Sequence, residues 1–179
     1  MKEKILGEDR RSLLLNWLKE SKEPLTGSRL AKKTNVSRQV IVQDISLLKA
    51  RNEPIIATAQ GYVYFQANKN AQRCSRVIAC QHLGSETEDE LNTIVNFGVS
   101  IKDVTIEHPL YGDLTGSLMI NNRHDVAQFI KNIQEKSASY LLELTEGVHL
   151  HTLEAETDQQ LEQTCQALFE KGYLLSSER

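Results

Sequence analysis

Apolar residues at helical spacing dominate the first fifty positions of the chain. Leu14 and Leu18 lie one turn apart, which predicts a helix over residues 10–20. Pro24 interrupts this pattern, because proline cannot continue a helix and restricts the residue before it. A break of this kind indicates that the next apolar stretch belongs to a separate helix.

Two further helices are predicted after the break. Thr26 is a typical N-cap and opens a short helix over residues 28–34. Asn35 tolerates the left-handed conformation that a tight turn needs. Ser37 then caps a third helix over residues 38–50. Two helices joined by such a short turn are typical of a helix-turn-helix.

A β-hairpin is predicted directly after the third helix. Asn52 can close that helix in the left-handed conformation. Two β-rich runs follow at residues 54–59 and 62–65, and Gly61 between them suits the positive φ of a hairpin turn. Three helices and a hairpin predict a winged helix over residues 1–68, ending in the polar segment 67–72.

Residues 69–179 alternate between strand and helix patterns and are predicted to form a second, α+β domain. Capping boxes at Ser85/Glu88 and Thr157/Gln160 mark two helix starts. The pattern predicts a mixed or antiparallel sheet with helices on one face, in a sandwich-like arrangement. The predicted strands are 76–83, 99–108, 117–122 and 147–155, with a short run at 173–175, and residues 108–116 are predicted to be a loop.

The composition is that of an ordinary globular protein, with 40% hydrophobic and 25% charged residues among 179. No apolar run reaches about 18 residues and the first residues lack the apolar stretch of a signal peptide, so a cytoplasmic protein without a membrane segment is expected. The three cysteines, an odd number without a C-x-x-C, are expected to be buried reduced thiols.

Charge is distributed unevenly between the two predicted domains. Residues 1–68 contain 12 Lys/Arg and 7 Asp/Glu, whereas residues 69–179 contain 9 and 17. A net positive first domain on a net negative second domain indicates that the first domain binds a polyanion.

Double-stranded DNA is the polyanion that a helix-turn-helix predicts, because its second helix enters the major groove. Arginine pairs with guanine and glutamine with adenine, while cations on the preceding helix meet phosphates. A protein-interaction module with a solvated polar face is the alternative. The predicted base-reading residues are Ser37, Arg38, Gln39 and Gln43, and the predicted phosphate contacts are Arg29, Lys32 and Lys33.

All five histidines lie in the second domain. His149 and His151 alternate along one strand and point to the same face, so both imidazoles can bind one metal ion. His82 ends the first strand of the domain, and Glu90 lies on the inward stripe of the next helix. Three histidines and a glutamate suit zinc, nickel, iron or manganese. Exposed histidines, or core histidines with satisfied hydrogen bonds, are the alternative.

The motifs of both domains resemble those of the niacin-responsive transcriptional repressors. PLTGSRLA, VSRQVIVQDI and GYVY are similar to their winged helix, which biotin repressor-type regulators share, although Asn52 stands where glycine is usual. RVIACQH, VTIEHPLYG and GVHLHTLEA resemble the three-histidine (3H) domain that follows it. The chain lacks the nucleotide loop of the biotin ligases.

This resemblance implies a homodimeric repressor of genes for NAD biosynthesis or niacin uptake, with nicotinic acid as co-repressor. It also implies a divalent metal held by His82, Glu90, His149 and His151. His108 and Tyr111 are expected beside the same pocket, where they would hold one end of the effector. Two other functions stay open: a metal-dependent hydrolase, and a protein-interaction module with a structural metal.

Overall fold

The computed structural model describes residues 5–65 and 73–175. They form two compact units, one within residues 1–68 and one within residues 69–179. The polar segment 67–72, where the domain boundary was predicted, lies outside the described residues.

The first unit is a bundle of three helices followed by a hairpin. Its elements are α1 (Gly7–Glu20), α2 (Gly27–Thr34), α3 (Arg38–Ala50), β1 (Ile55–Thr58) and β2 (Gly61–Tyr64). Helix α1 begins three residues before its predicted start at Arg10, and α3 has its predicted bounds. The apolar stripes of the helices meet in one core, in which Leu14, Leu30 and Ile41 are fully buried.

The predicted caps define the starts of α2 and α3. The Thr26 hydroxyl accepts a hydrogen bond from the Arg29 backbone N–H at 3.2 Å. The Ser37 hydroxyl accepts one from the Val40 N–H at 3.3 Å. Asn35 lies between the two helices in the left-handed conformation, with φ 54°. The Ser37 cap and the left-handed Asn35 therefore form the turn that the sequence predicted.

Replacing Thr26 with alanine should lower the free energy of unfolding of this unit by about 1 kcal/mol, because an N-terminal N–H of α2 loses its acceptor. Urea denaturation can be followed by the fluorescence of Trp17, the single tryptophan of the chain. Ser46→Ala is the control, since the Ser46 hydroxyl bonds to the Val42 carbonyl inside α3 and alanine is a better helix former there. An equal loss in both variants would contradict the capping role.

The β1–β2 hairpin, called the wing below, is attached to the segment before α2. The backbones of Leu25 and Tyr62 exchange two hydrogen bonds, of 3.0 and 2.9 Å. Gly61 permits this approach, because a Cβ at that position would lie 2.7 Å from the Leu25 carbonyl carbon. Asn52 takes the left-handed conformation that was predicted for it, with φ 64°. The wing is thus fixed beside the helix-turn-helix.

A buried ion pair that the sequence pattern did not predict joins α1 to α3. The Arg10 Nε lies 2.5 Å from the Asp44 Oδ2. The Arg11 guanidinium lies 3.2 Å from the other oxygen of the same carboxylate. Because Asp44 is buried, these cations supply the partners that its charge requires.

The second unit is a four-stranded antiparallel sheet with helices against one face. The strand order is β3-β6-β4-β5, and every neighbouring pair is antiparallel. Alternate residues of β3 and β6 are buried on the inner face, while Val77 on the outer face is 61% exposed. The α+β fold predicted from the sequence is confirmed. The elements are β3 (Cys74–Gln81), α4 (Thr87–Asn96), β4 (Ser100–His108), β5 (Gly112–Ile120), α5 (Arg123–Glu135), β6 (Val148–Ala155) and α6 (Asp158–Glu170).

Two local predictions about this unit are wrong. The Ser85/Glu88 capping box does not form, because a 3-10 turn at Gly84–Glu86 precedes α4 and the Glu86 carboxylate accepts the Leu83 N–H instead. Strand β5 begins at Gly112, inside the segment predicted to be a loop. It forms a hairpin with β4, in which His108 lies opposite Gly112.

The C-terminal part of the unit contains one predicted feature and differs from the prediction in two others. The Thr157/Gln160 capping box forms at the start of α6. The predicted strand at residues 173–175 is reduced to a bridge between Leu174 and Cys80, which attaches the segment after α6 to the edge of β3. A second 3-10 turn, at Leu141–Thr145, precedes β6 and was not predicted.

Candidate functional site

All four residues predicted to bind metal lie together in the interior of the second unit, and we call them the donor cluster: His82, Glu90, His149 and His151. Glu90 projects from α4 and is completely buried. Its Oε2 lies 2.8 Å from the His82 Nε2 and 3.5 Å from the His151 Nε2, and its Oε1 lies 3.3 Å from the His149 Nε2. The alternation along β6 places the last two imidazoles on this face.

The backbone fixes the orientation of each imidazole. In all three rings Nδ1 lies within hydrogen-bond distance of a carbonyl oxygen, so Nδ1 carries the proton and Nε2 faces Glu90. Histidines that bind a metal ion through one ring nitrogen usually donate a hydrogen bond from the other, often to a backbone carbonyl. The carbonyls belong to Leu83, Gly147 and Asp103, at 2.9, 2.8 and 2.7 Å.

Gly147 brings the start of β6 against His82. Its φ is +91°, and a Cβ there would lie 2.3 Å from the His82 carbonyl oxygen. The Gly147 carbonyl also accepts the His82 backbone N–H at 3.4 Å. A side chain at this position would therefore displace two of the imidazoles in the donor cluster.

Gly147→Ala should lower the affinity for a divalent metal about tenfold and destabilise this unit by more than about 1 kcal/mol, because the methyl group displaces His82. Zinc affinity by chelator competition and unfolding by far-ultraviolet circular dichroism measure the two effects. Gly112→Ala is the matched control. Gly112 also has positive φ, but a Cβ there meets no atom within 4 Å. A metal affinity that falls equally in both variants would rule out steric displacement.

Charge within the donor cluster changes the pKa of its members. Burial acts to raise the pKa of Glu90, but the neighbouring imidazoles outweigh it and hold the pKa well below its ordinary value. Burial acts to lower the pKa of His82 and His151, but the Glu90 carboxylate raises both pKa values overall. The buried carboxylate thus stays ionised and attracts positive charge.

The donor cluster fits a divalent transition metal. In the neutral His82 ring Nδ1 carries the proton, so the Nε2 lone pair and the Glu90 Oε2 face each other 2.8 Å apart in the interior. Buried polar atoms without partners are uncommon in native structures. A cation would satisfy both atoms at once, and three imidazoles with one carboxylate suit zinc, nickel, iron or manganese.

A buried thiol that the sequence reading assigned to the core also lies at this site. The Cys80 Sγ, a Glu90 carboxylate oxygen and a ring nitrogen of His149 all lie within 4.8 Å of one another. Burial raises the pKa of the Cys80 thiol, and the Glu90 charge adds to the effect. Cys80 precedes His82 by two positions, the same spacing that drew attention to His149 and His151.

A cavity of about 200 Å³ opens beside the donor cluster. Glu90, His149 and His151 form its polar wall, and the other walls are mainly apolar. The apolar and small lining residues include Leu91, Val104, Gly116, Phe129, Ile133, Tyr140 and Leu141. The site therefore combines a place for a cation with space for a small, largely apolar molecule.

His108 and Tyr111, expected beside this pocket, lie instead at the β4–β5 turn. Neither lines the cavity, and Tyr111 is 74% exposed. The His108 Nδ1 accepts the Leu110 N–H at 3.2 Å, and its ring contacts the Tyr111 ring at 4.9 Å between centroids. The placement is a correction to the sequence reading: in the hairpin these two residues pack against each other.

The first unit presents its predicted DNA-binding residues to solvent. All seven are exposed, which leaves the start of α3 and one side of α2 accessible. The Lys33 Nζ lies 3.9 Å from the centroid of the Trp17 ring, so its charge rests on an aromatic face. The seven residues are Arg29, Lys32, Lys33, Ser37, Arg38, Gln39 and Gln43.

Comparison with known proteins agrees with both units. A family model described as an HTH domain matches residues 10–63, and one described as a 3H domain matches residues 75–177. The chain is 58% identical to the transcription repressor NadR of Bacillus subtilis (strain 168) over 173 residues, 96% of both chains. It is 37% identical to the probable transcription repressor NiaR of Thermotoga maritima over 172 residues, 96% of this chain and 97% of that protein.

The chain belongs to this family of transcription repressors. The family predicted from the motifs is thereby confirmed, and the relatives place the chain among regulators and not among enzymes. DNA binding through the HTH domain follows from the family. Within residues 5–65 and 73–175, no helix has the length and apolar character that crossing a membrane requires.

Proposed function

We propose that this repressor controls genes of NAD biosynthesis or niacin uptake and that nicotinic acid is its co-repressor. The effector would bind in the 200 Å³ cavity, next to a divalent metal held by His82, Glu90, His149 and His151. The observation that carries this proposal is the cluster of inward Nε2 atoms around a buried carboxylate, open to an apolar cavity.

Nicotinic acid suits the chemistry and size of this cavity. It is a flat ring with a carboxylate and a pyridine nitrogen, and both groups are metal ligands. Leu91, Val104 and Phe129 offer apolar contacts to a ring. The cavity is smaller than the roughly 300–1,000 Å³ of pockets for drug-sized ligands, which favours a single-ring effector. The metal would supply the positive charge that holds one polar group.

In the DNA-binding unit, Arg38 and Gln39 would read base edges from the start of α3, and Arg29 and Lys32 would contact phosphates. A homodimer would place two such helices in successive major grooves, at half-sites about one turn of DNA apart. Effector binding would then favour the dimer arrangement that matches this spacing. The exposure of these residues supports the assignment.

A mobility-shift titration on DNA upstream of the protein's gene neighbourhood tests this function. Nicotinic acid should increase operator affinity at least about fivefold, and nicotinamide, which lacks the carboxylate charge, should not. Chelation of the metal should remove the response. If neither compound changes the affinity, the co-repressor assignment is wrong. Failure to bind any promoter fragment would favour a protein-interaction module.

A variant that fills the cavity should separate effector binding from metal binding. Gly116→Val should weaken nicotinic acid binding by about 1–3 kcal/mol, because even a Cβ at this position would lie 3.2 Å from the Leu141 Cδ1. Metal stoichiometry should stay unchanged. Thr115→Val on the other face of β5 is the control, and calorimetric titration measures both variants. Unchanged nicotinic acid affinity in Gly116→Val would place the effector elsewhere.

A further inference from the structure

We infer that Cys80 is an additional ligand of the metal and biases the centre toward metals that prefer sulfur. This inference rests on the metal centre proposed above, to which it adds a donor of a different kind. Cys80 lies directly opposite His149 in the β3–β6 pairing, so both side chains are neighbours on the inner face. Its side chain is completely buried.

The distances place the thiol among the donors. The Cys80 Sγ, the Glu90 carboxylate and the His149 ring nitrogen are within 4.8 Å of one another, a separation that one metal ion can bridge by small shifts of side chains. An independent observation points to an ion at the same place. The buried His82 Nε2 and Glu90 Oε2 face each other there at 2.8 Å, while the Nδ1 proton of His82 is directed to the Leu83 carbonyl.

Coordination by Cys80 needs no oxidant or reductant. The S–H bond is replaced by an S–metal bond, the proton passes to solvent, and the oxidation states of sulfur and metal do not change. Thiolate is a soft ligand that favours zinc and other metals with affinity for sulfur, whereas carboxylate and water suit manganese and magnesium. Cys80 would thus discriminate between metals that the histidines and Glu90 accept alike.

Cobalt(II) loading of the full-length protein tests this inference directly. Thiolate bound to cobalt gives an intense near-ultraviolet charge-transfer band, which imidazole and carboxylate do not give. We expect this band in the native protein and its loss in Cys80→Ser. Cys74→Ser, on the same strand but outside the donor cluster, should retain it. Zinc affinity should fall about 10–100-fold in Cys80→Ser, and manganese affinity should change much less.

The outcomes distinguish this inference from the proposed metal centre. Stoichiometric cobalt binding without the band, with the same spectrum in Cys80→Ser, would overturn the role of Cys80 and leave the metal centre intact. Such a result would mean that the thiol only packs against Glu90. Absence of cobalt and zinc binding in the native protein would overturn the centre itself. If Cys80→Ser does not fold by circular dichroism, Cys80→Ala provides the comparison.

Discussion

Glu90→Gln is expected to lower the affinity for a divalent metal about 100-fold, with little change in the shape of the site. Glu90 is the one acidic member of the donor cluster, and it is completely buried. Its carboxylate faces three imidazole nitrogens, at 2.8, 3.3 and 3.5 Å. Glutamine keeps the size of the side chain but removes the charge that offsets the cation, and losses of this order follow even from the removal of groups that only support the ligands.

The response to nicotinic acid should disappear in the same variant, because the proposed cation holds one polar group of the effector. Metal content and competition with a chelator measure the loss of metal affinity. The mobility shift with and without nicotinic acid measures the loss of the response to the effector. Operator binding without effector should match that of the metal-free native protein. Glu88→Gln is the control, since Glu88 is exposed on the same helix. Full metal binding by Glu90→Gln would eliminate the proposed centre.

The sequence predicted the first unit well because its signals are local. The Thr26 and Ser37 caps, the Asn35 turn and the glycine of the wing each act within a few residues of the helix or hairpin they define. Strand β5 was predicted too short because the interactions that form its first residues are not local. Its first residues, Gly-Asp-Leu-Thr-Gly, have weak strand propensity and are held by pairing with β4, which includes a 2.8 Å contact between the Thr105 and Thr115 hydroxyls.

In the candidate site, too, the sequence predicted what local patterns encode and missed what strand pairing and helix packing determine. Alternation along one strand was enough to place His149 and His151 on one face. The position of Cys80 opposite His149 depends on the register between β3 and β6, which no local pattern encodes. The cavity depends on α5, which packs beside α4, and on the 3-10 turn at Leu141–Thr145, which packs beside β4. His108 does not line the cavity because β4 continues there into its hairpin with β5, where the His108 ring packs against Tyr111.

Operator affinity is expected to fall about a thousandfold between roughly 50 and 200 mM salt. Arg29, Lys32 and Lys33 on each protomer of the proposed dimer give about six phosphate contacts, each of which releases a counterion from the DNA. All three side chains are exposed on α2. Fluorescence anisotropy with labelled operator, repeated over a range of salt concentrations, measures the slope. An affinity that does not depend on salt would contradict these phosphate contacts.

Two substitutions should separate the contribution of phosphate contacts to operator affinity from that of base contacts. Lys32→Ala should weaken binding to operator and to random DNA alike and reduce the salt slope by about two for a dimer, one for each lost contact. Arg38→Ala should cost about 1–3 kcal/mol on the operator and much less on random DNA, because it removes a contact to a base edge. A loss in Arg38→Ala that is as large on random DNA as on the operator would show that α3 does not read the sequence in this way.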